Sequence, residues 1–129
     1  MNKRFNISPS SFFQTHYRQC ERLYNLLADW SLEFTGNLTL NALSLPSSVD
    51  PTKEKCLLDI CCGTGSIGIA LSDRFSKVYG VEMVESAIRD ANINVSKNNL
   101  SGKCAFICGR AEDKIAEICQ TSAEVRFYA

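Results

Sequence analysis

Asp59, the turn Gly63-Thr64-Gly65-Ser66-Ile67-Gly68 and Glu82 are the residues whose types and spacing could do chemistry. A Gly-x-Gly-x-x-Gly turn between a strand and a helix exposes backbone amides and a helix N-terminus, because the missing side chains let a ligand approach the main chain. Glu82 follows Gly63 by 19 positions, and an acid ending a second strand there can accept hydrogen bonds from both hydroxyls of a ribose. Together these features predict an adenosine site. A tight turn beside a solvated glutamate is the alternative that needs no ligand.

Asp59 bears on which adenosine compound fits. Its carboxylate stands on the strand just before the turn, where it would repel a pyrophosphate. It would attract the sulfonium and ammonium groups of S-adenosyl-L-methionine by a few kcal/mol at separations of about 4–6 Å. The methyl donor is therefore favoured over NAD. An acid that simply caps the following turn is also compatible with the residues, and it excludes neither ligand.

Farther on, Gly109-Arg110-Ala111-Glu112-Asp113 places Glu112 and Asp113 where a carboxylate could accept from an adenine amino group. Both acids could equally cap the last helix, and the sequence leaves the two roles open. His16 is the single histidine, has no partner motif and reads as a surface or hinge residue. The seven cysteines (Cys20, Cys56, Cys61, Cys62, Cys104, Cys108 and Cys119) are odd in number and contain no CxxC pair. They fit neither a disulfide framework nor a common zinc pattern, and they read as reduced. Four of them fall in predicted strands, where cysteine behaves as a small buried hydrophobe. Cys61 and Cys62 lie at the turn and are not expected to be nucleophiles, since apolar burial raises a thiol pKa.

The elements that must position these residues follow from periodicity. A short extended opening leads, past a turn at Ser8 to Ser11, into an amphipathic helix from about Gln14 to Phe34, with Tyr17, Cys20, Leu23, Tyr24, Leu27 and Ala28 on its apolar face. Residues 35–54 are rich in Gly, Asn, Ser and Pro and read as a surface insertion or linker. Cys56 to Cys61 is an apolar run expected to be a strand covered on both faces, followed by a helix to about Arg74 and a strand over Lys77 to Glu82. A helix with Val84, Ala87, Ile88, Ala91 and Val95 on one face, a strand from Lys103 to Cys108 and a helix from about Asp113 to Cys119 complete the pattern. This alternation predicts an α/β fold, a partial Rossmann-like arrangement with parallel strands in the order 3-2-1. The expected units are an N-terminal segment and helix over 1–34, the insertion over 35–54, and a ligand-binding half-domain over 55–129.

Composition sets limits on this reading. With 129 residues, 45% hydrophobic and 22% charged, the chain fits one ordinary globular domain. Fourteen basic and fourteen acidic residues give no net charge, so the chain alone should bind nucleic acid weakly. No apolar run approaches the roughly 20 residues of a membrane span, and Met1-Asn2-Lys3-Arg4 does not open a secretory signal. The expectation is an intracellular protein with no membrane partner. Cytoplasm or nucleus is favoured, and the mitochondrion stays open.

At the level of motifs the chain resembles the RNA uracil-C5 methyltransferase family, specifically its eukaryotic transfer-RNA branch. The likeness rests on Phe5-Asn6-Ile7-Ser8-Pro9-Ser10-Ser11-Phe12-Phe13-Gln14, Glu21-Arg22-Leu23-Tyr24, Leu58 to Gly65, Gly80-Val81-Glu82-Met83-Val84 and Gly109 to Asp113. It implies a class I methyltransferase that makes 5-methyluridine in RNA. Gln14 would contact the cofactor, Asp59 and the turn through Ser66 would line its methionine end, and Glu82 would hold its ribose. Thr15-His16 departs from the family's usual aliphatic residue and asparagine, and the insertion is unusually long.

The family's Asp-Pro-Pro-Arg phrase, later cysteine nucleophile and glutamate base do not occur before Ala129. In the family that cysteine would add to uracil C6, activating C5 for the methyl group, and the base would remove the C5 proton. The expectation is thus a partial domain that binds cofactor and is inactive alone, with Cys56 to Cys61 left at an unpaired sheet edge that Glu124 to Ala129 could partly cover. The competing readings are an interaction module that uses this open edge, and a short NAD-binding module.

Overall fold

Two apolar runs, Lys55–Ile60 (β1) and Lys77–Glu82 (β2), lie side by side at the centre of a parallel sheet. The computed structural model describes residues 2–9, 11–33, 55–121 and 126–128. The expected insertion over 35–54, and Phe34 at the expected end of the first helix, lie outside them. Cys104–Cys108 (β3) flanks β2 and Arg126–Tyr128 (β4) flanks β1, giving the order β3-β2-β1-β4. The expected order 3-2-1 is present, extended by one short strand. Lys55, Cys56 and Leu57 pair with Arg126, Phe127 and Tyr128, so the edge of β1 is partnered over its first half by part of the Glu124 to Ala129 segment expected to cover it.

The helices are Tyr17–Glu33 (α1), Ser66–Leu71 (α2, continued by a 3-10 turn over Ser72–Arg74), Glu85–Lys97 (α3) and Ala111–Thr121 (α4). One sheet face carries Leu57, Val78 and Phe106, packed with Ile69 of α2, Ala91 of α3 and Ala28 of α1. The opposite face carries Leu58 and Val81 against Ile118 of α4. Each of these Leu, Val, Ile and Phe side chains contributes about 1.5–3 kcal/mol by leaving water.

Several boundaries differ from the sequence reading. The first helix begins at Tyr17 rather than Gln14, because His16 caps it: its carbonyl accepts the amides of Gln19 and Cys20, and its Nδ1 lies 3.3 Å from the Gln19 amide. Within α1, Cys20, Tyr24 and Ala28 are buried, whereas Tyr17 and Leu23 are exposed, so the apolar stripe is narrower than expected. Strand β1 ends at Ile60, since Cys61 already has a left-handed backbone (φ 61°). Cys56 and Cys104 are buried as expected for strand cysteines, but Cys61 and Cys108 are exposed because they stand where the chain leaves the sheet.

Residues 3–9 and Ser11 run along α3 through a polar ladder with a four-residue step. The Arg4 amide donates to Asn98 Oδ1 at 2.9 Å, and Asn98 Nδ2 donates back to the Arg4 carbonyl at 2.7 Å. The hydroxyls of Ser8 and Ser11 donate to Asp90 Oδ2 and hold that carboxyl below its usual range. Asn94 lies between these two residues on the same face and is bonded to both backbone groups of Asn6.

The ring of Phe106 crosses β2 at Gly80, where an added Cβ would come within 2.2 Å of the ring. Gly80→Ala is therefore expected to cost about 1–3 kcal/mol through overpacking. Gly102→Ala, at a position with nothing within 4 Å, should stay within about 0.5 kcal/mol. Urea unfolding of both variants checks the difference, and equal effects would contradict this close approach.

Candidate functional site

The turn between β1 and α2 is built from left-handed residues. Cys61, Gly63 and Gly65 have φ of 61°, 55° and 75°, a conformation that glycine adopts freely and that costs cysteine about 1–2 kcal/mol. Four side chains from four elements hold the turn, each at a different residue. Asp59 of β1 accepts the Gly68 amide at 3.0 Å, satisfying an N–H of the first turn of α2 that has no partner within the helix. Glu82 of β2 accepts the Gly63 amide through Oε2 at 3.1 Å. Asn94 of α3 donates to the Thr64 carbonyl at 3.2 Å, and Tyr24 of α1 donates to Ser66 Oγ at 3.0 Å.

Glu82 also joins the turn to the next loop. Its Oε1 accepts the amides of Met83 and Val84 at 2.8 and 3.0 Å, and its own carbonyl accepts the Gly109 amide at 2.9 Å. The ends of all three long strands are thereby tied at one point.

Asp59 and Glu82 bring two carboxylates to one corner, and neither forms an ion pair with a described residue. Burial pushes the Asp59 carboxyl up to about 6; the Gly68 amide opposes that rise and the neighbouring charge of Glu82 adds to it. Thr64 Oγ1 is buried with no hydrogen-bond partner. Burial also raises Tyr24 to about 12 and pushes the Cys62 thiol up. A buried protonated thiol is a poor nucleophile, as expected for Cys62.

A cleft of about 420 Å³ opens beside this corner, and its walls include Cys61, Glu82, Met83, Gly109, Arg110 and Glu112. Of the residues read from sequence, Glu82 and Glu112 line it directly. Gly63 stands in the turn with open space around its Cβ position, whereas an added Cβ at Gly65 would meet Phe106 at 2.7 Å and one at Gly68 would meet Val78 at 2.9 Å. Two of the three glycines thus make room for the core, a correction to the view that all three clear a path for ligand. Ser66 and Asp59 are held in or against the turn. Glu112 pairs with Arg110, and its own backbone amide together with that guanidinium keeps its carboxyl below the usual range. Asp113 is exposed in the first turn of α4, and Gln14 is exposed ahead of α1; neither lines the cleft.

Sequence reasoning set Cys61 in the turn but missed Met83 as a cleft residue, although it directly follows a strand end, which is where ligands bind in such sheets. It also missed Tyr24 and Asn94, which act on the turn from 42 and 30 positions away and carry no local signal.

A family model described as "Methyltransferase domain" matches residues 51–125. The chain is 36% identical over 124 residues to the Arabidopsis thaliana "Zinc finger CCCH domain-containing protein 24", covering 96% of this chain and 13% of that protein. It is 38% identical over 111 residues to the Homo sapiens "tRNA (uracil-5-)-methyltransferase homolog A", covering 86% of this chain and 15% of that protein. The crystal structure of Pyrococcus abyssi tRNA (uracil-54, C5)-methyltransferase in complex with S-adenosyl-L-homocysteine superposes with a TM-score of 0.57 at 27% identity, over 81% of this chain and 21% of that one. The chain thus spans less than a third of the length of each of these relatives. With its parallel β-α-β core, its acid-bound glycine turn and these matches, the chain belongs to the methyltransferase-domain family, and tRNA (uracil-5-)-methyltransferases are among its homologues.

Proposed function

We propose that this chain binds S-adenosyl-L-methionine and supplies the cofactor-binding part of an RNA methyltransferase that forms 5-methyluridine in transfer RNA. The observation that carries this reading is the pair Asp59 and Glu82, two neighbouring carboxylates beside a cleft that Glu82 lines, with no cation from the described residues to balance them. A ligand with ammonium and sulfonium charges answers that imbalance, whereas a pyrophosphate aggravates it. The unpartnered Thr64 hydroxyl and the open Cβ position at Gly63 also suit a polar ligand against the turn.

In this reading Asp59 and the turn through Gly63, Gly65 and Ser66 hold the amino-acid end, and Glu82 holds the ribose. A carboxylate offers about four acceptor sites, and Glu82 already spends three of them on Gly63, Met83 and Val84. It therefore has room for one ribose hydroxyl without giving up an amide. Glu112 stands on the cleft wall for the adenine amino group once Arg110 turns aside, with Asp113 the alternative acceptor. Gln14 reaches the ligand only if the segment ahead of α1 folds inward. When bound, S-adenosylmethionine supplies an electrophilic methyl group.

The described residues bind and orient. The nucleophile, the base and the main grip on transfer RNA belong elsewhere in a longer protein, consistent with a formal net charge of zero here. Among the described residues no helix is long and apolar enough to cross a membrane. A transfer-RNA substrate fits action in the cytoplasm, the nucleus or the mitochondrion.

Calorimetric titration with S-adenosylhomocysteine tests the reading. Affinity should rise between pH 5 and 7 as Asp59 ionises near 6 and level off above, and Asp59→Asn should abolish that rise. NADH should not compete. Glu82→Gln is expected to weaken binding by about tenfold or more, the loss of a charge-assisted hydrogen bond.

The same raised carboxyl makes ligand-free stability depend on pH. A folded pKa above the unfolded value of 3.8 means that the stability linked to Asp59 is full below about pH 4 and is lost as pH rises through about 6. The loss is on the order of 2–3 kcal/mol at neutral pH. Urea unfolding of the native chain and of Asp59→Asn across pH 4–7 should show the difference narrowing toward acid.

A further inference from the structure

We propose that Asn94 is a positioning residue for the cofactor turn, setting the plane of the Thr64–Gly65 peptide and coupling that plane to the N-terminal arm. This rests on the reading of the cleft as a cofactor site. Asn94 is fully buried on α3 (0% exposed) among Ile88, Ala91 and Val95. A buried amide is tolerated only when its donors and acceptor are used. Here all are: Oδ1 accepts the Asn6 amide, and the two hydrogens of Nδ2 go to the Asn6 carbonyl and the Thr64 carbonyl, each at 3.2 Å. Turning the amide over would set its oxygen against two carbonyls, so a single orientation is allowed.

The Thr64–Gly65 peptide turns about Thr64 ψ and Gly65 φ, the latter left-handed at 75°. Glycine resists rotation about its backbone less than any other residue, so the plane needs external ties. The Gly65 amide is tied to the Cys62 carbonyl at 2.9 Å, and the Thr64 carbonyl is tied to Asn94. If the second tie is lost, the peptide is held only through its Gly65 amide, and the turn that would receive a ligand loses its fixed shape.

Asn98 provides an internal control. It is the same residue type, one helical step along the same face, and it clamps the same arm through Arg4 without touching the turn. Arm anchoring is common to both residues, whereas contact with the turn belongs to Asn94.

The test compares the full chain with Asn94→Asp and Asn98→Ala by three measurements: melting temperature, S-adenosylhomocysteine affinity and hydrogen exchange of the Gly65 amide without ligand. Asn94→Asp keeps the shape and the acceptor but loses both donors. It is expected to weaken the ligand about tenfold and to speed Gly65 exchange by a similar factor, the scale of leaving a buried carbonyl unpaired. Asn98→Ala should lower the melting temperature while leaving affinity within about twofold and Gly65 exchange unchanged. If Asn94→Asp does not fold, Asn94→Ser is measured in its place. Unchanged affinity and exchange in the Asn94 variant, or the same losses in Asn98→Ala, would overturn the proposal. Should the native chain fail to bind S-adenosylhomocysteine, the cofactor reading fails, and the exchange comparison still decides whether Asn94 sets the turn.

Discussion

Backbone amides held by two carboxylates organise this molecule. Asp59 and Glu82 leave adjacent strands and take the amides of Gly68 and Gly63, at opposite ends of the same turn. A hydrogen bond to a charged acceptor is worth about 1.5–3 kcal/mol net. That is enough to offset the left-handed backbone at Cys61, and it opposes the burial of like charges. The balance is incomplete for Asp59, whose carboxyl stays raised. A cationic ligand would complete it, so the electrostatic cost of this corner and its selectivity have one origin.

Packing under the turn serves the same end. The Phe106 ring occupies the space that Cβ atoms at Gly65 and Gly80 would need and lies close to that of Gly68. One aromatic side chain of β3 therefore sits against β2, the turn and the start of α2. The glycine pattern that reads as a ligand-approach motif is, at two of its three positions, a requirement of the core. Gly63 alone combines a left-handed backbone with open surroundings.

Much of this was legible in the sequence because the signals are local. Strand β2 is found over Lys77–Glu82, where the apolar run placed it, and Asp59, Gly63, Ser66 and Glu82 converge because strand ends and a glycine turn force them together. Less was legible where the outcome depends on distant contacts. Cys61 continues an apolar run yet turns out of the strand, and α4 starts at Ala111, two residues before the expected Asp113, because the Arg110 carbonyl accepts the amides of Asp113 and Lys114. Asn94 and Tyr24 look like ordinary helix residues until the fold sets them against Thr64 and Ser66. The ladder from Asp90 to Asn98 likewise has meaning only beside the arm it binds.

If S-adenosylmethionine binds as proposed, the carboxyl at position 59, raised by burial in the free chain, faces a cation in the bound state. Carbon-13 NMR of the Asp59 side chain, titrated in the free chain and again saturated with S-adenosylmethionine, measures this directly. A pKa near 6 is expected in the free chain and a clear fall with ligand, as an opposite charge stabilises the ionised form. An ordinary value in the free chain, or one that saturation leaves unmoved, would contradict it.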